Sequence, residues 1–61
     1  MELFKYEIYF EDCFLHSSEV WFEDEEEANE EALADIEYYV DEYGEGIRER
    51  YSYKIISKEV D

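Results

Sequence analysis

Between Glu23 and Tyr43 the chain carries eleven acidic residues and no basic one, and any fold it adopts must leave that charge in water. Leu33, Ile36, Val40 and Tyr43 recur at helical spacing and form one stripe, with Ala32 and Tyr39 on its flank. The spacing predicts an amphipathic helix over residues 23–43, its stripe on a core and Glu27, Glu31, Asp35 and Glu42 on the solvent side with Tyr38 among them. Asp24 suits the N-cap and Glu27 stands at the capping-box position three residues on. Gly44 suits a left-handed C-terminal cap, and Gly46 keeps the helix from resuming.

Such a helix is expected to be about 31 Å long, with one carboxylate per roughly 2.9 Å of axis. A single DNA strand carries one charge per about 3.4 Å. The acids also oppose the helix that bears them. Glu23, Glu27, Glu31 and Asp35 are successive i, i+4 neighbours, each like-charge pair costs about 0.2–0.5 kcal/mol, and no base stands three or four residues away to offset it. Solubility alone does not require this arrangement, because mixed signs keep a surface hydrated with less self-repulsion.

The 61 residues make one domain, 1–61, which buries only about 60% of the surface its unfolded chain exposes. Twelve aromatic residues compensate for the short length. Together with a hydrophobic fraction of 46% they imply a folded core despite the net charge of −15. Cys13 is the only cysteine, so the chain has no internal disulfide or zinc-ligand spacing, and a reducing cytoplasmic setting is expected, the host cytoplasm if the protein is phage-encoded. No apolar run approaches the roughly 20 residues of a membrane span, and no basic-then-apolar signal segment opens the chain. The negative charge repels nucleic acid and anionic membranes alike. A basic protein is the partner that remains.

Leu3 to Glu11 alternates, with Phe4, Tyr6, Ile8 and Phe10 on one face and Lys5, Glu7, Tyr9 and Glu11 on the other, the pattern of a half-buried strand. A turn is expected at Asp12 and Cys13. A second strand is expected over 18–22, with Val20 and Phe22 on the core and Trp21 outward. Ile47 to Val60 reads as a third strand, with Tyr51, Tyr53 and Ile55 on the core and Arg48, Arg50, Lys54 and Lys58 opposite, where Lys54 or Arg50 can pair with Glu7 or Glu19. A hairpin followed by a helical crossover places the third strand beside the first. The expected fold is therefore α+β: a ββαβ domain whose three-stranded antiparallel sheet, in order 2-1-3, carries one acidic amphipathic helix on one face. Tyr9 and Trp21 on the other face offer a seat for a second copy, so both monomer and homodimer stay open.

Little here points to catalysis. Cys13 and His16 are three residues apart, but a nucleophile pair needs a pocket that holds thiolate and imidazole together. Paired carboxylates catalyse across a cleft, which a convex helix does not supply. The acidic run lacks the alternating ligands and sixth-position glycine of a calcium loop, so no cofactor or specific metal site is expected.

Charge is segregated along the chain. Sixteen acids and no base lie between Tyr6 and Ile47, and four of the five bases lie between Arg48 and Lys58. Adaptation to high salt would scatter acids over every face and use fewer large aromatics. Short length, a pI near 4.1, one acidic helix and a small sheet together resemble the small phage-encoded inhibitors that mimic nucleic acid, including anti-CRISPR and anti-restriction proteins. The resemblance is one of class, covers composition and architecture, and includes no shared motif. It implies a non-enzymatic DNA mimic serving host-defence evasion through protein–protein interaction. The surface offered to a basic nucleic-acid-binding enzyme would comprise Glu23, Asp24, Glu27, Glu30, Glu31, Asp35, Tyr38, Asp41 and Glu42. A second resemblance lies in Glu25–Leu33, EEEANEEAL, which is similar to the helix start of HicB-type antitoxins and implies a regulatory subunit that neutralises a basic partner. The strand which those antitoxins place before this helix is not evident in the sequence.

Overall fold

The alternation in the first nine residues after Met1 decides the centre of the molecule. In a computed structural model, which describes all 61 residues, strand β1 (Glu2–Phe10) pairs antiparallel with β2 (Cys13–Ser17) on one side and β3 (Tyr51–Glu59) on the other. The sheet order is β2-β1-β3. Helix α1 (Glu25–Tyr43) lies across one face, and a 3-10 segment, Glu45–Arg50, returns the chain to β3. This is the expected ββαβ arrangement. No helix is long and apolar enough to cross a membrane.

Several boundaries differ from the sequence reading. The second strand is Cys13–Ser17 rather than 18–22, and Val20, expected on the core, is 57% exposed. Its alternation is hidden by a β-bulge. Ile8 faces His16 and Tyr9 faces Phe14, which leaves Leu15 as the extra residue and turns both Leu15 and His16 toward the helix side. Part of the 18–22 reading survives, because Phe22 returns to β1 and exchanges two backbone hydrogen bonds of 2.7 Å with Phe4. Strand β3 begins at Tyr51, four residues after Ile47, since Arg48 and Arg50 belong to the 3-10 segment.

The β1–β2 loop has two residues, Glu11 and Asp12, both at positive φ (50° and 69°). That geometry suits the right-handed twist of the strands, but it favours Asn-Gly, and a side chain there costs about 1–2 kcal/mol per residue. Arg50 offsets part of the cost, as its carbonyl accepts from the Glu11 N–H at 2.9 Å and its guanidinium meets the Glu11 carboxylate at 2.9 Å. Replacing Glu11→Asn and Asp12→Gly together should therefore stabilise the domain by about 1 kcal/mol, read as a higher urea midpoint with unchanged slope.

The helix begins at Glu25, two residues later than expected. Asp24 is its N-cap and accepts from the Glu26 N–H at 2.9 Å, whereas Glu27 does not return the second capping-box bond. At the other end Gly44 has φ 110° and ψ 151°, an extended positive-φ conformation rather than the left-handed helical cap, and its N–H bonds to the Val40 carbonyl at 2.7 Å. Only glycine adopts that conformation without strain.

The buried stripe of α1 is Ala28, Ala32, Ile36 and Val40. Leu33 and Tyr43, assigned to the core from their spacing, are 50% and 68% exposed. Relative to the stripe drawn through the large residues, the helix is turned by about 40°. The sheet explains the rotation. Tyr6 and Ile8 are buried under α1, and Phe22, Tyr39, Tyr51, Tyr53 and Ile55 pack around them. These rings fill much of the layer between helix and sheet, so the N-terminal half of the helix places only the methyl groups of Ala28 and Ala32 there, while Ile36 and Val40 fill the layer further along. Tyr6 and Phe22 stack at 6.3 Å between centroids and Tyr39 and Tyr51 at 5.5 Å.

Candidate protein-binding face

Helix α1 presents its acids over an arc of roughly 160° opposite the buried stripe, as placed by 3.6 residues per turn. Glu27, Glu30 and Asp41 are exposed near its middle, with Tyr38 beside them at 64% exposure and Glu31 and Glu42 toward one edge. Glu23 and Asp24 lie just ahead of the first turn and Glu26 stands at the edge of the arc, whereas Glu25, exposed in the first turn, is in step with Ala28 and Ala32 rather than with the acidic face. No basic residue lies in the last turn of the helix, so Asp41 and Glu42 stand unopposed at the negative end of its dipole.

Asp35 does not belong to this face. The rotation of α1 carries it to the helix–sheet boundary, where its Oδ2 accepts a hydrogen bond from the Tyr6 hydroxyl and lies 3.6 Å from His16 Nε2. The expectation that Glu27, Glu31 and Asp35 point together into solvent therefore fails at Asp35. The reason is that a buried tyrosine needs an acceptor for its hydroxyl. Tyr53 makes the parallel contact, donating to Asn29 Oδ1 at 3.0 Å, and no buried side-chain polar atom lacks a partner. One signal was available in the sequence: Asp35 is in step with Ala28, Ala32 and Tyr39, a second stripe less hydrophobic than the one through Leu33 and Tyr43.

Burial, with the Asp35 hydrogen bond second, pushes the Tyr6 hydroxyl well above its ordinary pKa. A pKa raised in the folded state means that this tyrosine's contribution is complete below the unfolded value of about 10 and is lost as pH climbs toward the folded one. The melting temperature should accordingly fall as pH rises beyond about 10, and Tyr6→Phe, though less stable at neutral pH by about 1 kcal/mol, should show a shallower alkaline decline. Thermal unfolding followed by circular dichroism at pH 8 and above measures both.

Glu37 is also withdrawn from the free charge. Arg48 reaches back from the 3-10 segment and engages both Glu37 carboxylate oxygens, one at 3.0 Å, while its Nε donates to Glu45 at 3.0 Å. The hydrogen bond to the guanidinium holds the Glu37 carboxyl below the usual range. Nine of the eleven acids in 23–43 remain free of a base or a tyrosine, and the seven of them on the 19-residue helix fall at about one per 4 Å of its axis, near the one per about 3.4 Å of a DNA strand.

The outer sheet face has the opposite character. Lys58 and Lys5 lie over the Trp21 ring at 4.2 and 5.3 Å from its centroid, and Lys54 lies over Tyr9 at 5.7 Å. Lys54 stands opposite Glu7 in the register, whereas Arg50 pairs with Glu11. The two aromatic residues offered as a seat for a second copy are thus already covered by cationic chains.

Cys13 is exposed at the start of β2, while His16 faces Asp35. No group of three or more His, Cys, Asp or Glu side chains is arranged to hold a metal ion. No family model, curated protein or solved structure matches the chain.

Proposed function

We propose that the protein is a non-enzymatic inhibitor that occupies a basic nucleic-acid-binding surface of a target enzyme, of the CRISPR-Cas or restriction-nuclease kind, by presenting α1 as a DNA mimic in the cytoplasm. The observation that carries this reading is the set of nine free carboxylates, seven of them on a preorganised helix at about one per 4 Å of its axis and two, Glu23 and Asp24, just ahead of it. A rigid helix loses little entropy on docking, and a one-signed face steers a basic partner into encounter. The overall shape supports it as well. The longest dimension, 42 Å against 19 and 16 Å, suits a groove that holds an extended polyanion.

The test is competition. Added to such a nuclease, the protein should displace its nucleic acid, form a complex on size exclusion, and lose affinity steeply as salt rises. Salt-insensitive capture of a toxin without displacement of nucleic acid would support the antitoxin reading instead. Absence of any salt-dependent binding to basic nucleases would sink the proposal.

A further inference from the structure

At the C-terminal end of α1 a pocket of about 400 Å³ opens between the helix and the sheet. Its walls are Phe10, Leu15, Tyr39, Tyr43, Ile47 and Tyr51. They come from all three strands, the helix and the 3-10 segment, so the pocket exists only in the folded chain. The Leu15 bulge and the exposed Tyr43 form part of its walls. A chain that buries so little of itself would be expected to close over such residues, yet Leu15 is 44% exposed and Tyr43 68%.

The surroundings of the pocket are anionic. Glu11, Asp12, Asp41, Glu42, Glu45 and Glu49 are all exposed on the segments that carry its walls. The only bases there, Arg48 and Arg50, are committed to Glu37 and Glu45 and to Glu11 respectively. A metabolite site usually sets a few polar groups among its apolar walls to orient the ligand, whereas the wall exposed here is almost wholly apolar, made of the three tyrosine rings with Phe10, Leu15 and Ile47. An apolar side chain delivered by a protein needs no such group, because the flanking backbone and charges orient it. In protein interfaces binding energy concentrates in a few anchors desolvated in well-packed pockets, and tyrosine is enriched among the residues that contribute it.

We propose that the pocket receives a single leucine, methionine or phenylalanine side chain flanked by lysines and arginines on the target protein. The acidic face supplies attraction and the pocket supplies register. This inference deepens the function proposed above and rests on it.

The test uses the intact protein and three nine-residue peptides: a central leucine with four basic residues on each side, the same peptide with central serine, and a leucine flanked by serines. Titration at low salt should show the basic leucine peptide binding about tenfold or more tighter than the basic serine peptide, the factor expected from burying one leucine. Its nuclear magnetic resonance shifts should centre on Leu15, Tyr43 and Ile47. A pocket-filling Leu15→Trp variant should erase the preference and leave binding of the serine peptide unchanged. Equal, salt-sensitive binding of both basic peptides by the unaltered protein overturns the pocket and leaves the acidic face standing. No binding of either basic peptide overturns both. Binding of the uncharged leucine peptide, or of free indole, as tightly as the basic leucine peptide also overturns the proposal, in the second case in favour of a small-molecule cavity.

Discussion

Ile8→Ala should remove most of the stability of this domain. Ile8 is 0% exposed and sits in the central strand, beneath the helix and bonded to neighbours on both sides. Truncating a buried isoleucine costs about 2–5 kcal/mol through lost transfer energy and the cavity left behind. A domain of 61 residues has roughly 3–9 kcal/mol in total. In so small a domain each kilocalorie moves the melting temperature by about 4–8 °C, so a fall of 10 °C or more is expected by calorimetry or circular dichroism. Val40→Ala, on the helix side of the same core, should act in the same direction with a smaller loss. The informative contrast is Leu33→Ala. By sequence spacing Leu33 belongs to the core, but it is half exposed and should cost less than about 1 kcal/mol. A Leu33→Ala loss as large as that of Ile8→Ala would mean that the helix is not rotated as described.

Charge reversal on the helix has the largest expected effect on function. Glu27, Glu30 and Glu31 are exposed, bond to no other side chain, and lie within the acidic arc. Their replacement by lysine changes six units of charge where a basic groove would close. Binding to a basic nuclease should fall at least a hundredfold at about 0.1 M salt, equivalent to about 2.8 kcal/mol. The fold should survive. On the helix the variant converts the repulsive Glu26–Glu30 and Glu31–Asp35 pairs into attractive ones, each contributing about 0.2–0.5 kcal/mol, and leaves like-charge pairs at 27 and 30 and at 27 and 31. Asp35 has to be left alone in this experiment, because its replacement strips the Tyr6 hydroxyl of its acceptor and would confuse lost stability with lost charge. Measuring affinity and thermal stability on the same sample separates the two. Retained inhibition by a folded triple variant would rule out this face as the binding surface.

The parts of the fold that were legible share one property, that a local pattern had only one way to be buried. The alternation of Phe4, Tyr6, Ile8 and Phe10 admits one core face, and Tyr51, Tyr53 and Ile55 mirror it on β3. Once both ends of the chain are strands and the middle is a helix, a short hairpin and a single crossover leave the order 2-1-3. What was misread lies where a local rule had a competitor. The β2 alternation is broken by one inserted residue, Leu15, and a bulge of that kind leaves no signature in a five-residue strand. Val20 and Phe22 then looked like the nearest strand, and only Phe22 proved to contact β1.

The acidic character of the helix and its exposure to solvent were set by composition, since a run with no base cannot be buried or neutralised by itself. The sequence also determined where the helix is capped, at Asp24 and Gly44, although the capping-box bond from Glu27 and the left-handed helical conformation at Gly44 do not form. Which acids remain free was decided only by tertiary structure. Asp35 is claimed by a tyrosine 29 residues away and Glu37 by an arginine 11 residues on, and both contacts follow from the angle at which α1 settles on the sheet. That angle depends on ring volumes in β1, β3 and the Phe22 segment at once, a long-range packing condition that no window of neighbouring residues contains.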